Sequence, residues 1–125
     1  MAGLAENRSP LIKATTIGTI LQLAMVVAGH FMPAVAARFP IGGSLISAIA
    51  GLLFARSAPG IGTGAAVGGG AIAGGASAFL GILASTLMGD MSQTSVLATG
   101  TAASGVAGVI GGVLGQFLGK KAPTT

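Results

Sequence analysis

Few side chains in this sequence could take part in chemistry, and the most suggestive of them share one apolar stretch. Thr15, Thr19, Gln22, His30 and Pro33 fall within an arc of roughly 80° when projected at the helical angle. An ionisable residue inside an apolar helix is costly and has to face protein or water. Thr15, Thr19, Gln22 and His30 are therefore a candidate polar path for a proton, an ion or a small substrate. His30 is also a candidate cofactor-binding residue, because one imidazole nitrogen suffices to ligate a haem or a chlorophyll-type pigment. The plainer reading, and the one favoured by the lack of a second ligand, is a neutral histidine near a helix end, hydrogen-bonded to a neighbouring carbonyl. On that reading no cofactor is expected. Pro33 reads as the terminator of this helix, or as a kink that frees the carbonyl of Gly29.

Elsewhere the inventory is thin. Asp90, in a Gly-Asp-Met-Ser turn, suits a solvated loop carboxylate, and Glu6 lies near the start. One histidine and one loop aspartate build no acid–base pair, catalytic triad or metal cluster. The sequence contains no cysteine, which removes disulfides, thiolate nucleophiles and thiolate metal sites. Gly68, Gly69 and Gly70 are not a phosphate loop, since no Lys-Ser or Lys-Thr pair follows them. A non-enzymatic role is expected.

The elements that hold these residues follow from composition. The chain is 52% hydrophobic and 6% charged, with a mean hydropathy of +0.91, far from the quarter-charged balance of a soluble domain. This predicts an integral membrane protein. The net charge of +4 rests on six scattered Lys and Arg residues, which read as topology determinants rather than a nucleic-acid surface. Trp and Tyr, the usual interfacial anchors, are absent. That fits a chain whose surface is covered by neighbouring subunits.

The expected fold class is all-α: a polytopic membrane protein of four transmembrane helices, arranged as two helical hairpins in a single domain over residues 1–125. Residues 1–13 form an interfacial start, with Ser9 as helix cap and Pro10 at the first helical position. The spans are expected at 14–37, 41–57, 64–88 and 94–118, followed by a basic tail at 119–125. The second is short, and Arg56 extends it by snorkelling. Cytoplasmic termini place Arg8, Lys13, Arg56, Lys120 and Lys121 inside and Arg38 outside, as the positive-inside tendency requires of a bacterial inner-membrane protein. Ala34-Val35-Ala36 resembles a signal-peptide cleavage site, but Glu6, His30 and Pro33 argue that the first span is retained.

Three of the spans carry rows of small residues opposite bulky ones. The candidate packing positions are Gly43, Ser47 and Gly51 in the second span, Gly70, Gly74, Ser77 and Gly81 in the third, and Gly105, Gly108, Gly112, Gly115 and Gly119 in the fourth. Such rows cost helix propensity in water, about 1 kcal/mol per glycine relative to alanine. In lipid they let backbones approach closely. They resemble glycine-zipper membrane segments in general, a packing pattern that carries no function with it. The expected function is a non-catalytic small membrane subunit that packs into a larger assembly through these glycine-rich faces. Its partners would be the bilayer and other membrane subunits or copies of itself. Two alternatives are a homo-oligomeric holin-like pore and a small dimeric transporter or pigment-binding protein that uses His30.

Overall fold

The computed structural model describes residues 7–36, 38–58, 60–89 and 95–120, and among these the chain is all-helical. Helix α1 spans Arg8–Phe31, α2 is a single turn at Pro33–Ala36, and α3 spans Phe39–Arg56. Helices α4 and α5 follow at Thr63–Leu87 and Ser95–Lys120. Three helices are long and apolar enough to cross a membrane: α1, α4 and, over Thr99–Leu118, α5. A shorter apolar helix covers Ile41–Arg56. Asp90, Thr94, Lys121 and Glu6 lie outside the described residues.

The first helix differs from its expected 14–37 extent at both ends. It begins at Arg8, so Ser9 and Pro10 lie within its first turn and Asn7 takes the cap position, without a side-chain capping bond. Proline is tolerated there because a first-turn N–H has no helical acceptor. At the far end α1 stops at Phe31, because Met32 is extended (φ −128°, ψ 100°), the conformation that a following proline imposes on its neighbour. Pro33 then opens α2. The proline thus ends the helix and does not lie within it. The N–H of Met32 still bonds to the Ala28 carbonyl at 2.8 Å.

The connections use local turn chemistry. Gly89, with φ +81°, follows the last residue of α4's cap and donates its N–H to Thr86 O at 3.0 Å, a left-handed ending that glycine adopts without strain. Gly60, with φ +76°, takes the same left-handed conformation in the turn between α3 and α4, where the Ile61 N–H bonds to the Ala58 carbonyl at 3.2 Å.

Packing centres on α3 and α4. Helix α5 lies in the cleft between them on one side, α1 lies on the other, and α1 and α5 share no extended contact. The α5 contact is backbone on backbone. A Cβ at Gly108 would strike the Gly70 carbonyl, one at Gly51 the Gly108 carbonyl, one at Gly111 the Ala48 carbonyl and one at Gly112 the Ala66 carbonyl. One at Gly74 would come within 2.8 Å of both Gly108 Cα and Ser104 O. These pairings make α3 and α5 parallel and α4 and α5 antiparallel. The pairs Gly18–Ser77 and Gly81–Gln22 make α1 and α4 parallel. The starts of α1 and α4 and the ends of α3 and α5 therefore share one end of the bundle.

The interior is thin and the exterior bulky. The largest side chains buried completely are Phe54, Ser47, Ser77 and Ser85. Phe54 lies over Gly69, where any side chain would strike its ring. Each long helix turns large aliphatics outward: Ile12 is 65% exposed on α1, Ile41 74% on α3, Leu87 80% on α4 and Val106 62% on α5.

Glycines in one row therefore carry different constraints. A Cβ at Gly105 meets nothing closer than 3.9 Å, so Gly105→Ala is expected to keep the fold and gain up to about 1 kcal/mol of helix propensity. Gly108→Ala is expected to lose about 1–3 kcal/mol through overpacking against α4. Thermal unfolding of both purified variants in mild detergent, followed by circular dichroism, checks the contrast. Equal midpoints would refute the close backbone approach at Gly108.

Candidate functional site

The polar residues of α1 do not stay together as a path. Gln22 is 3% exposed and turns into the bundle. Its Nε2 donates to the Gly43 carbonyl at 3.0 Å and to Ser47 Oγ at 3.2 Å. Ser47 Oγ donates to the Gly74 carbonyl at 3.1 Å, and Ser77 Oγ donates to that same carbonyl at 3.0 Å. One amide from α1, one hydroxyl and one carbonyl from α3, and one hydroxyl and one carbonyl from α4 thus form a connected cluster. Its formation depends on small neighbours. A Cβ at Gly81 would come within 2.9 Å of Gln22 Cβ, and one at Gly18 within 3.0 Å of Ser77 Oγ.

The cluster accounts for the two serines among the packing positions. Ser47 and Ser77 are small enough for the thin faces and also supply hydroxyls to Gln22 and Gly74. Sequence alone places them on the thin faces but not in a bond with Gln22, since the partners are 25 residues apart in the Gln22–Ser47 pair and 27 in the Ser47–Gly74 pair.

A second polar clasp sits at the end where α1 begins. Gln116 of α5, 8% exposed, donates from Nε2 to the Ile61 carbonyl and to Thr63 Oγ1, each at 3.2 Å. It ties the last turns of α5 to the chain entering α4.

The remaining members of the stripe point elsewhere. Thr15 and Thr19 lie in a groove of about 430 Å³ on the outside of the bundle, walled by α1 and by Ile72 and Leu80 of α4. Thr19 Oγ1 is buried there without a hydrogen-bond partner, whereas Thr16 donates to the Ile12 carbonyl one turn back at 2.7 Å. His30 is exposed near the opposite end of α1, its ring edge-on to Phe31 at 5.0 Å. No group of three His, Cys, Asp or Glu side chains that could hold a metal occurs among the described residues. Gln22 and His30 share a helix arc but not an environment: one is sealed between helices, the other faces outward.

The arrangement supplies adhesion. Amides and hydroxyls here bond to backbone carbonyls, with no ionisable group in the cluster. Comparison with protein-family models, with curated proteins and with solved structures yields no match.

A double-mutant cycle of Gln22→Met and Ser47→Ala is expected to give a coupling of about 0.6 kcal/mol, the scale of a side-chain hydrogen bond across an apolar helix interface. His30→Ala is expected to change stability by no more than about 0.5 kcal/mol, as for an exposed position. Unfolding in detergent measures both. Additive effects at Gln22 and Ser47 would remove the pair from the account of the fold.

Proposed function

We propose that this chain is a four-span integral membrane protein of a bacterial inner membrane, with cytoplasmic termini, serving as a non-catalytic subunit of a larger membrane assembly. The observation that carries the membrane reading is the inverted distribution of side chains. Among the described residues, glycine, alanine, serine and glutamine make up most of the interior, joined by Val26, Phe54 and Ile61, while large apolar side chains lie exposed on α1, α3, α4 and α5. In water that surface would be a very large apolar patch. In lipid it costs nothing, and buried amides and hydroxyls are retained as bonds between helices.

At about 1.5 Å per residue, α3 reaches roughly 27 Å, close to the ~30 Å hydrocarbon layer. Arg56 at its exposed end supplies the remaining reach. The starts of α1 and α4 and the ends of α3 and α5 share one end, so Arg8, Lys13, Arg56 and Lys120 fall at that end and Arg38 at the other. The positive-inside tendency assigns the basic end to the cytoplasm.

Gly51, Gly70, Gly74, Gly108 and Gly112 spend their close approaches within the chain, so contact with other subunits falls to the bulky exterior. A pore reading finds less support, because backbone contact fills the space between α3, α4 and α5, and the exterior that an oligomeric pore would need as lining is apolar. A transport path through α1 is interrupted where Gln22 is enclosed.

Alkaline carbonate extraction is expected to leave the protein in the membrane pellet, and reporters fused to both termini are expected to report the cytoplasm. Release by carbonate would remove the membrane reading, and a periplasmic terminus the topology. A mild-detergent native pull-down is expected to bring a second membrane protein with it. A bare monomer would overturn the subunit role while leaving the other two claims intact.

A further inference from the structure

The groove between α1 and α4 combines an apolar wall with a basic mouth. On α1 it runs from Leu11 and Ile12 past Thr15 and Thr19, and its α4 wall includes Ile72 and Leu80. The two helices are parallel here, and the eight residues separating Ile12 from Ile20 match the eight separating Ile72 from Leu80. The groove is therefore about 12 Å long, directed along the helix axes. Projected at 100° per residue, Arg8 lies on the same stripe as Ile12, Thr15 and Thr19, one turn before the groove begins. Lys13 lies on the groove's outer flank. Both side chains are exposed.

An apolar slot parallel to the bundle axis, with exposed Arg8 one turn before its start and exposed Lys13 beside that start, has the polarity of a lipid, an acyl chain carrying an anionic head. We propose that this groove binds one acyl chain of an anionic phospholipid, with Arg8 and Lys13 engaging the phosphate-bearing headgroup. The proposal rests on the membrane placement above. In that placement the groove mouth lies at the cytoplasmic interface, where anionic lipid headgroups and snorkelling basic side chains meet. Leu11, Ile12, Ile72 and Leu80 supply contact along the chain. The threonines keep the floor low, since a larger side chain at Thr15 would fill the space that the chain occupies. Arg56 and Lys120, at the same end, belong to α3 and α5 and not to the groove stripe, so Arg56 serves as an internal control.

The test is electron paramagnetic resonance of the full-length protein reconstituted in phosphatidylcholine vesicles, doped with spin-labelled phosphatidylglycerol or spin-labelled phosphatidylcholine. The motionally restricted lipid fraction is expected to favour phosphatidylglycerol about three- to fivefold, the scale of one basic residue acting on an anionic headgroup. Arg8→Gln with Lys13→Gln is expected to abolish the preference, whereas Arg56→Gln retains it. Thr15→Phe is expected to lower the restricted fraction of phosphatidylglycerol while both cations remain. If Thr15→Phe does not fold by circular dichroism, Thr16→Phe fills the exposed lip of the same groove.

Equal restriction of the two lipids by the wild type overturns the proposal. So does a preference that survives loss of Arg8 and Lys13 or that is unaffected by filling the groove. A protein that carbonate releases and that restricts neither lipid overturns the membrane reading, and this proposal with it. Insertion without headgroup preference overturns this proposal alone.

Discussion

Helix α5 lies backbone against backbone in the cleft between α3 and α4, and the rest of the structure depends on that contact. Gly108 is the clearest case: its Cα faces Gly74 and the Gly70 carbonyl on α4, while its own carbonyl lies against Gly51 on α3. At such separations dispersion between backbone atoms, together with weak Cα–H···O contacts of about 0.5–1 kcal/mol each, replaces the interdigitation of large side chains. Ordinary helix pairs hold their axes about 8–10 Å apart because side chains intervene. Here glycine on one helix meets a carbonyl on the next. The thin face is then useful only if it is continuous on both partners, which is why Gly51, Gly70, Gly74, Gly108 and Gly112 form a set.

Closing the helices in this way leaves little interior volume for large residues. Phe54 is the large side chain that is fully enclosed, and it requires Gly69 beneath its ring. The leucines, isoleucines and valines that would form a soluble core are displaced outward, and the polar groups that remain inside are small or bond to carbonyls. Gln22 and Gln116 show the pattern. Each reaches across a helix interface from a buried position, and each finds a backbone oxygen and a hydroxyl. A buried amide without such partners would pay the full desolvation penalty of about 1–3 kcal/mol, so the surrounding glycines and serines are as much a condition of these bonds as of the packing.

Helix α1 stands apart from this arrangement. It packs against α3 and α4, without extended contact to α5 among the described residues, through a narrow line that includes Ala14, Gly18, Gln22, Val26 and Gly29. The rest of its surface is turned outward, and its early turns leave the groove against α4. The proline after Met32 fixes where it ends, because the residue before a proline is driven to extended backbone. His30 is held at that exposed end, about 12 Å along the axis from Gln22 at 1.5 Å per residue.

Several features were determined by the sequence itself. Long apolar stretches broken by Pro, Gly and charged residues dictate helices at these places, and the small-versus-bulky division of each helix follows from its 3.6-residue period. Composition likewise departs from the quarter-charged balance of a soluble domain, at 6% charged with 23 glycines. The tertiary structure alone decided which thin face meets which, since helical periodicity assigns a residue to a side of its own helix and says nothing of the neighbour. Gly105 and Gly108 share a row in the sequence, yet only Gly108 is in close contact. Thr15, Thr19, Gln22 and His30 share an arc, yet they divide among an external groove, a sealed hydrogen-bonded cluster and an exposed end. An arc 80° wide spans the boundary between inside and outside on a helix that touches its neighbours along one narrow line, and only the position of those neighbours fixes where that boundary falls.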